Sequence, residues 1–170
     1  MGEVELRRYR REDLEAMFDM DVLCFPKPFL FDLRSMRGFA EARNAIVLLA
    51  ERAAEESSLL ASAFGKILGF VIVHLERTYG GRRGYVVTLD VVPAERRGGI
   101  AGLLMAEAEK LAEAAGVRRM ELHVYAENAG AILFYERLGY ERMGVEAGFY
   151  GIREGASLDA LVYGKELSVA

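Results

Sequence analysis

The stretch Val91-Val-Pro-Ala-Glu-Arg-Arg-Gly-Gly-Ile-Ala-Gly102 decides the fold of this chain. An apolar, β-branched run ends at Pro93, and a basic, glycine-rich turn leads into an amphipathic helix. Main-chain N–H groups in such a turn, with a helix N-terminus behind them, form a cradle for phosphate. Gly98 and Gly99 allow close approach because they lack a Cβ atom. The stretch therefore predicts a site for an anionic, phosphorylated cofactor.

Length and composition are typical of one soluble globular domain. The chain has 170 residues, of which 52% are hydrophobic and 28% charged, enough to bury a core. No apolar run reaches the roughly 18–20 residues of a membrane helix, and the charged N-terminus carries no secretory signal. The single cysteine, Cys24, excludes an intrachain disulfide and favours a reducing cytoplasm. A net charge of −4 argues against nucleic-acid binding.

Hydrophobic periodicity predicts a single domain over residues 1–170, in the order β-α-α, a three-stranded meander, βαβ and α-β-β. Residues 54–64 are ambiguous between a loop and a longer hairpin with a little helix. The scarcity of Asn and Gln beside many Arg favours a heat-adapted source. The predicted strands are 4–8, 45–53, 66–76, 84–92, 119–125, 140–147 and 158–166, and the predicted helices are 11–22, 30–43, 99–116 and 128–139.

A second informative stretch, residues 119–139, places polar side chains near the first. His123 alternates with apolar residues, so it lies on the more polar face of a strand. Asn128, Ala131 and Tyr135 share one face of the following helix. If both helices begin at the carboxyl ends of adjacent parallel strands, these residues and the glycine-rich turn border one cleft. Taken alone, each residue more often has a structural role: His123 as a hydrogen-bonded histidine, Asn128 as a helix cap and Tyr135 as a core aromatic.

The two stretches resemble the acetyl-CoA site of the GCN5-related N-acetyltransferase (GNAT) superfamily. Arg96-Arg-Gly-Gly-Ile-Ala101 matches the signature R/Q-x-x-G-x-G/A, and residues 122–140 resemble the second half of the site. The resemblance implies an α/β (α+β) fold, with about seven strands in a mixed, mostly antiparallel sheet, a splayed parallel pair of the fourth and fifth strands, and about four helices. Phe25-Pro-x-Pro-Phe29 and Ala147-Gly-Phe-Tyr150 resemble the RimI-like protein N-terminal acetyltransferases and their archaeal relatives.

The resemblance implies direct transfer of an acetyl group from acetyl-CoA to the α-amine of a protein or peptide N-terminus. The strand at 89–92 would carry a bulge, and the Val91 N–H would polarise the thioester carbonyl. His123 would be the general base, with Glu95 ranked second, and Tyr135 would protonate the leaving thiolate. No metal is expected. The implied cofactor-binding residues are Leu89, Asp90, Val91, Arg96, Arg97, Gly98, Gly99, Ile100, Ala101, Gly102, Asn128, Ala131 and Tyr135, and the implied substrate-binding residues are Phe25, Pro26, Pro28, Phe29 and Tyr150.

Acidity favours an α-amine over a lysine as the acceptor. At pH 7 roughly a tenth of α-amines are neutral, against fewer than about one in a thousand lysine amines, and an ordinary imidazole suffices as base. Two alternatives remain open: acetylation of a small-molecule amine (a polyamine, an amino acid or an antibiotic) or of a lysine side chain, and a non-catalytic acetyl-CoA-binding module. We expect a cytoplasmic monomer or homodimer without nucleic-acid or membrane partners.

Overall fold

The computed structural model describes residues 3–53 and 64–168, so the alternatives for residues 54–63 lie outside the described part of the chain. A 3-10 turn precedes the first α-helix and another, Pro93–Glu95, precedes the third. The strands are β1 (Val4–Arg8), β2 (Ala45–Arg52), β3 (Ile67–Thr78), β4 (Gly81–Val91), β5 (Arg119–Tyr125), β6 (Glu141–Glu146), β7 (Ile152–Arg153), β8 (Ala156–Ser157) and β9 (Ala160–Glu166), and the helices are α1 (Leu14–Cys24), α2 (Leu33–Ala40), α3 (Ile100–Ala114) and α4 (Ala129–Arg137).

Seven of the strands form one mixed sheet in the order β1-β2-β3-β4-β5-β9-β6. Every pairing in it is antiparallel except β4 with β5. The expected mixed, mostly antiparallel fold with a parallel β4/β5 pair is therefore confirmed. The small ribbon β7–β8 lies in the glycine-rich loop before β9 and was missed, because two-residue strands leave no periodicity in a sequence.

Alternation along the central strands divides the core into two layers. In β2, Val47 and Leu49 join the cluster that includes α1 and α2, whereas Leu48 and Ala50 join the cluster beneath α3 and α4. This is the period-2 pattern of a strand covered on both faces. The helices therefore sandwich the sheet, with α1 and α2 on one face and α3 and α4 on the other.

The first two helices differ at their ends from the prediction. A 3-10 turn occupies Arg11–Asp13 before α1, which runs to Cys24, two residues beyond the predicted end. α2 begins later than predicted because the Asp32 carboxylate caps it, accepting the Ser35 N–H at 2.6 Å, and it ends at Ala40. Among the described helices none is long and apolar enough to cross a bilayer.

The β3–β4 hairpin is longer than predicted. Its strands extend to Thr78 and Gly81, so two residues separate them, where the predicted strand ends at 76 and 84 leave seven. Arg83 donates to the Glu76 carboxylate at 2.7 Å from the position directly opposite. Such cross-strand ion pairs extend a ladder through a polar segment, and a hydrophobic pattern does not record them.

β4 and β5 separate part-way along their length. Their parallel pairing runs from Arg83 opposite Arg119 to Val86 opposite Leu122. At the next residue, Val87, the β3–β4 register shifts, which makes Val87 a bulge. Both strands continue beyond this point, to Val91 and to Tyr125. A cleft therefore opens between them.

Candidate active site

The end of β4 presents main-chain groups to this cleft. The Val92 N–H donates to the Leu68 carbonyl of β3 at 2.9 Å. Because successive main-chain groups point to opposite sides of a strand, the N–H of Val91 faces away from β3. The Val91 carbonyl faces the same way, since it accepts from Arg96 Nε at 3.3 Å and from the Cys24 thiol at 3.4 Å. The expected bulge lies at Val87, not within 89–92, because the register shifts where β5 stops pairing.

The glycine-rich turn before α3 is exposed and has the backbone of an anion site. Arg97 and Gly99 both have positive φ, of 66° and 81°, and Gly99 is the N-cap of α3. Left-handed residues of this kind turn successive N–H groups towards a common concave point. Apart from its two chain neighbours, no described residue has an atom within 4 Å of a Cβ atom added at Gly99. The space beside Gly99 is therefore open to a ligand.

Several predicted cofactor residues turn their side chains elsewhere. Asp90 is 1% exposed, and Ile100 is buried in the core beneath α3, with Leu89 packed against it. Arg96 Nε donates to the main-chain carbonyl of Val91 at the end of β4. The burial of Leu89, Asp90 and Ile100 has one cause: at a strand end and in a first helical turn, some side chains point into the core. At these positions the main-chain groups are the ones available to contact a cofactor.

Helix α4 borders the cleft on the face occupied by α3. The Asn128 side-chain oxygen caps it by accepting the Ala131 N–H at 3.1 Å. Asn128 therefore has the helix-capping role that its position in the sequence predicts. Tyr135 is 8% exposed, and its hydroxyl makes no hydrogen bond to any other residue that the structure describes. Burial raises the pKa of Tyr135 above that of an ordinary phenol, with smaller contributions from the neighbouring Asp90 and Tyr150.

His123 lies on the opposite face, with both ring nitrogens engaged. Its Nε2 is 2.6 Å from the Glu146 carboxylate, and its Nδ1 is 2.9 Å from the Tyr85 hydroxyl. A carboxylate can only accept, so the neutral ring carries its proton on Nε2 and accepts the Tyr85 hydroxyl at Nδ1. The Phe149 ring stacks on the imidazole at 4.0 Å. The contacts fix the orientation of the ring and its tautomer.

Tyr85 is a site residue that the sequence reasoning missed. It lies on β4 opposite Glu121, in the register that brings it to the same face as His123. Burial, with a contribution from the Glu76 carboxylate, raises the pKa of Tyr85 to about 12. The side chain is therefore a phenol and not a phenolate at neutral pH. Nothing in the sequence signals this role, because it depends on the parallel β4–β5 register.

An aromatic cluster adjoins His123 and joins three separate segments. Phe29 lies 4.8 Å from Tyr125 and 4.9 Å from Tyr150 between ring centroids. Phe149 contacts Tyr150 at 4.9 Å and reaches His123. The structure thus brings together two of the predicted substrate-binding residues, Phe29 and Tyr150, and adds Tyr125 and Phe149. Of the other three, Phe25 is half-buried, and Pro26 and Pro28 are exposed on the same loop.

Two further candidates have other partners. Glu95, ranked second as a base, forms an ion pair with Arg52, which occupies its charge. The Cys24 thiol donates to the Val91 carbonyl. Burial raises the pKa of that thiol, so it is a poor nucleophile. No group of three or more His, Cys, Asp or Glu side chains within 3–53 and 64–168 is arranged to hold a metal ion.

The family assignment follows from a match that spans most of the chain. The family model described as the acetyltransferase (GNAT) family matches residues 14–140. None of the curated proteins compared is significantly similar to the chain in sequence. The chain belongs to the GNAT family, and its cofactor is acetyl-CoA.

Solved structures share the whole fold at low identity. The ribosomal-protein-S18-alanine N-acetyltransferase of Escherichia coli superposes with a TM-score of 0.78 at 19% identity, covering 99% of this chain and 96% of its own. Arabidopsis thaliana NAA60, solved with a bisubstrate analogue, gives 0.80 at 22%, covering 99% and 100%. A. thaliana Naa50, solved with the bisubstrate analogue CoA-Ac-MVNAL, gives 0.75 at 22%, covering 96% and 99%. At these identities the likeness establishes the fold alone.

Proposed function

We propose that this GNAT acetyltransferase acetylates the α-amine of protein or peptide N-termini by direct attack on acetyl-CoA. One observation carries the proposal: a hydrogen-bonded series, Tyr85–His123–Glu146, lies beside an aromatic cluster at the cleft between β4 and β5. Proton-accepting groups on one face of the sheet thereby meet the exposed glycine-rich turn and Tyr135 from the other face. The free thiol of Cys24 favours a reducing, cytoplasmic setting.

The main chain of residues 91–102 fits a phosphorylated thioester. Acetyl-CoA supplies an activated acetyl group attached to a pyrophosphate-bearing arm. The exposed turn with Arg97 and Gly99 at positive φ would hold the pyrophosphate, helped by the N-terminus of α3. The Val91 N–H, directed away from β3 by strand alternation, would donate to the thioester oxygen as negative charge develops there. Asn128, whose oxygen is used in capping, would contact the arm through its amide nitrogen.

Tyr85 is the group that would receive the amine proton. Both nitrogens of His123 are occupied, so the ring offers no free lone pair to a substrate. The Tyr85 oxygen, in contrast, has a lone pair available while its own proton points at Nδ1. An α-ammonium group bound there would pass one proton to this oxygen as the phenolic proton moves to Nδ1, which leaves a neutral amine for the attack. The resulting imidazolium is held by Glu146 at Nε2.

Tyr135 is suited to return a proton to the leaving thiolate. Burial keeps its phenol protonated, and its hydroxyl has no partner among the described residues that would compete for the proton. It projects from α4 into the layer between that helix and the sheet. Acid and base therefore approach the reacting atoms from opposite faces of the sheet. No covalent acyl-enzyme is needed.

The aromatic cluster suits the first residue of a peptide better than a polycation. Phe29, Tyr125 and Tyr150 form an apolar surface next to the base, whereas a polyamine would need several acidic contacts there. One structural neighbour is named a ribosomal-protein-S18-alanine N-acetyltransferase, and another was solved with the bisubstrate analogue CoA-Ac-MVNAL; both support the same class. An α-amine is also far more often neutral at pH 7 than a lysine amine.

The test is a substrate panel with acetyl-CoA. It contains peptides that differ in their first two residues, the same peptides with a blocked α-amine, a lysine-containing peptide with a blocked N-terminus, and polyamines. We expect coenzyme A release only with free N-termini, with a preference for apolar first residues. Turnover confined to polyamines or to the lysine peptide would contradict the proposal, and tight acetyl-CoA binding without turnover of any acceptor would indicate a binding module.

A further inference from the structure

Two buried carboxyl groups, Asp21 of α1 and Asp90 of β4, meet behind the cleft. They are 0% and 1% exposed and contact each other through their side chains. Asp90 Oδ1 accepts the Thr88 hydroxyl at 2.6 Å, and Asp21 Oδ2 accepts the Phe31 N–H at 3.2 Å. The other two oxygens, Asp21 Oδ1 and Asp90 Oδ2, have no further partner among the described residues. Each carboxyl group thus has one satisfied oxygen and one oxygen left for its neighbour.

A single shared proton accounts for this arrangement. Two carboxylate charges side by side and out of water would repel strongly and lack solvation. Burial, followed by the neighbouring Asp21, raises the pKa of Asp90 well above that of an ordinary carboxyl group. The Asp90 O–H then donates to the Asp21 carboxylate, which satisfies both remaining oxygens. The cost of burying two charges falls to that of one.

Asp21 also accepts hydrogen bonds from both ends of the loop that carries the predicted peptide contacts. Its main-chain carbonyl accepts the Phe25 N–H at 3.0 Å, at the start of the loop. Its carboxylate accepts the Phe31 N–H, at the end of the loop. Phe29 lies between these two points and reaches the aromatic cluster. One residue thus holds both ends of residues 25–31.

Asp90 is the other half of the connection, because the next residue along β4 is Val91. Val91 presents its N–H to the cleft, and its carbonyl accepts from Cys24 in the last turn of α1. The carboxyl pair therefore ties the base of the 25–31 loop to the strand that would polarise the thioester.

We propose that Asp21 and Asp90 are positioning residues, a proton-sharing clamp that holds the peptide-binding loop at a fixed distance from the Val91 strand. The proposal rests on the proposed function, since it assigns that loop to the peptide. Loss of the shared proton would set two anions against each other, so the loop would move away from β4. The clamp therefore holds at lower pH and weakens as the pH rises.

The direction of this pH dependence follows from the groups around the pair. Cys24 faces the pair from α1, Arg96 from the turn before α3, and Tyr135 from α4. Of these, only Arg96 is cationic, and it lies on the exposed turn. A folded-state pKa above the unfolded value contributes stability that is present at low pH and lost as the pH rises through the folded value.

Asp90→Asn is the informative variant. Its amide oxygen can accept from Thr88, while its amide nitrogen donates permanently to Asp21 Oδ1, so the clamp no longer depends on a proton. We expect the ratio of peptide kcat/KM, variant over wild type, to rise about threefold or more between pH 6.5 and 9. The matched control is Asp19→Asn, at an exposed position on α1, the helix that carries Asp21. Its ratio of kcat/KM to that of the wild type should not change with pH. A flat ratio for Asp90→Asn would overturn the clamp.

Asp21→Ala tests the loop end of the connection. We expect the peptide KM to rise roughly tenfold, while the dissociation constant of coenzyme A, measured by calorimetry, changes less than about twofold. Asp21→Asn should restore most of the loss, because its amide can accept from Phe31 and donate to Asp90. Equal losses in peptide and coenzyme A binding, or no restoration by Asn, would contradict the proposal.

A readout without turnover separates this proposal from the proposed function. The unfolding temperature of the wild type should fall, relative to Asp90→Asn, by roughly 3 °C or more between pH 6 and 9. This measurement tests the clamp proposal even if Asp21→Ala does not fold or no peptide is acetylated. An inactive wild type would refute the function alone, and parallel unfolding curves would refute the clamp alone.

Discussion

Replacing Tyr85 with phenylalanine separates a proton relay from simple packing. The change removes one hydroxyl, whose oxygen lies 2.9 Å from His123 Nδ1, and keeps the ring. If that hydroxyl only supports structure, the loss is one part-buried hydrogen bond of about 0.5–1.5 kcal/mol. At about 1.36 kcal/mol per tenfold change in rate, that corresponds to roughly a 2- to 13-fold effect.

A relay predicts a larger loss with a different pH dependence. General-base catalysis contributes about 10²- to 10⁴-fold, so we expect kcat/KM for a peptide to fall roughly 100-fold or more at pH 7. The loss should shrink towards pH 9, where most α-amines are already neutral and need no base. The two explanations therefore predict different losses of kcat/KM at pH 7 and different dependences of that loss on pH.

The assay is the initial rate of coenzyme A release with a free N-terminal peptide between pH 6 and 9.5. Tyr79→Phe, at a fully exposed position in the β3–β4 turn, is the matched control and should stay within about twofold of wild type. A Tyr85→Phe effect under roughly tenfold that is the same at every pH would refute the relay and leave Tyr85 a packing residue.

Three further substitutions test other parts of the site. Tyr135→Phe should lower kcat by about 10²-fold or more while the acetyl-CoA dissociation constant from calorimetry barely changes, and unchanged turnover would remove its role as acid. Gly99→Val should weaken acetyl-CoA binding roughly tenfold or more, because a Cβ atom at a φ of 81° is strained and enters the cradle; tight binding by the folded variant would discredit the cradle. Phe29→Ala should raise the peptide KM roughly tenfold through lost apolar contact without affecting coenzyme A binding, and an unchanged KM would place the peptide elsewhere.

The sequence predicts the fold well where burial is regular. Strands β2 to β5 and helix α3 carry long period-2 or period-3.6 patterns, so their presence and order follow from the residues alone. Element ends follow less well. Asp32 ends the extended loop by capping α2, and Glu76–Arg83 extends a hairpin; both depend on single polar contacts that leave no periodicity.

The candidate site was predicted in outline but not in detail. The glycine-rich turn and His123 are visible from spacing because each lies within one short stretch. Tyr85 and Glu146 could not be found this way, since they reach His123 only through the β4–β5 register and the fold of the β6 end of the sheet. The same holds for Asp21 and Asp90, which are distant in sequence and ordinary in type.

The central claim, transfer to an N-terminal α-amine, is tested most directly by one peptide with two amines. A peptide with an apolar first residue, a free α-amine and one internal lysine is incubated with acetyl-CoA and the enzyme, and fragment masses locate the acetyl group. We predict a single acetyl group on the α-amine and none on the same peptide with a blocked N-terminus. Acetylation of the lysine in both peptides, or of neither amine, would contradict the account.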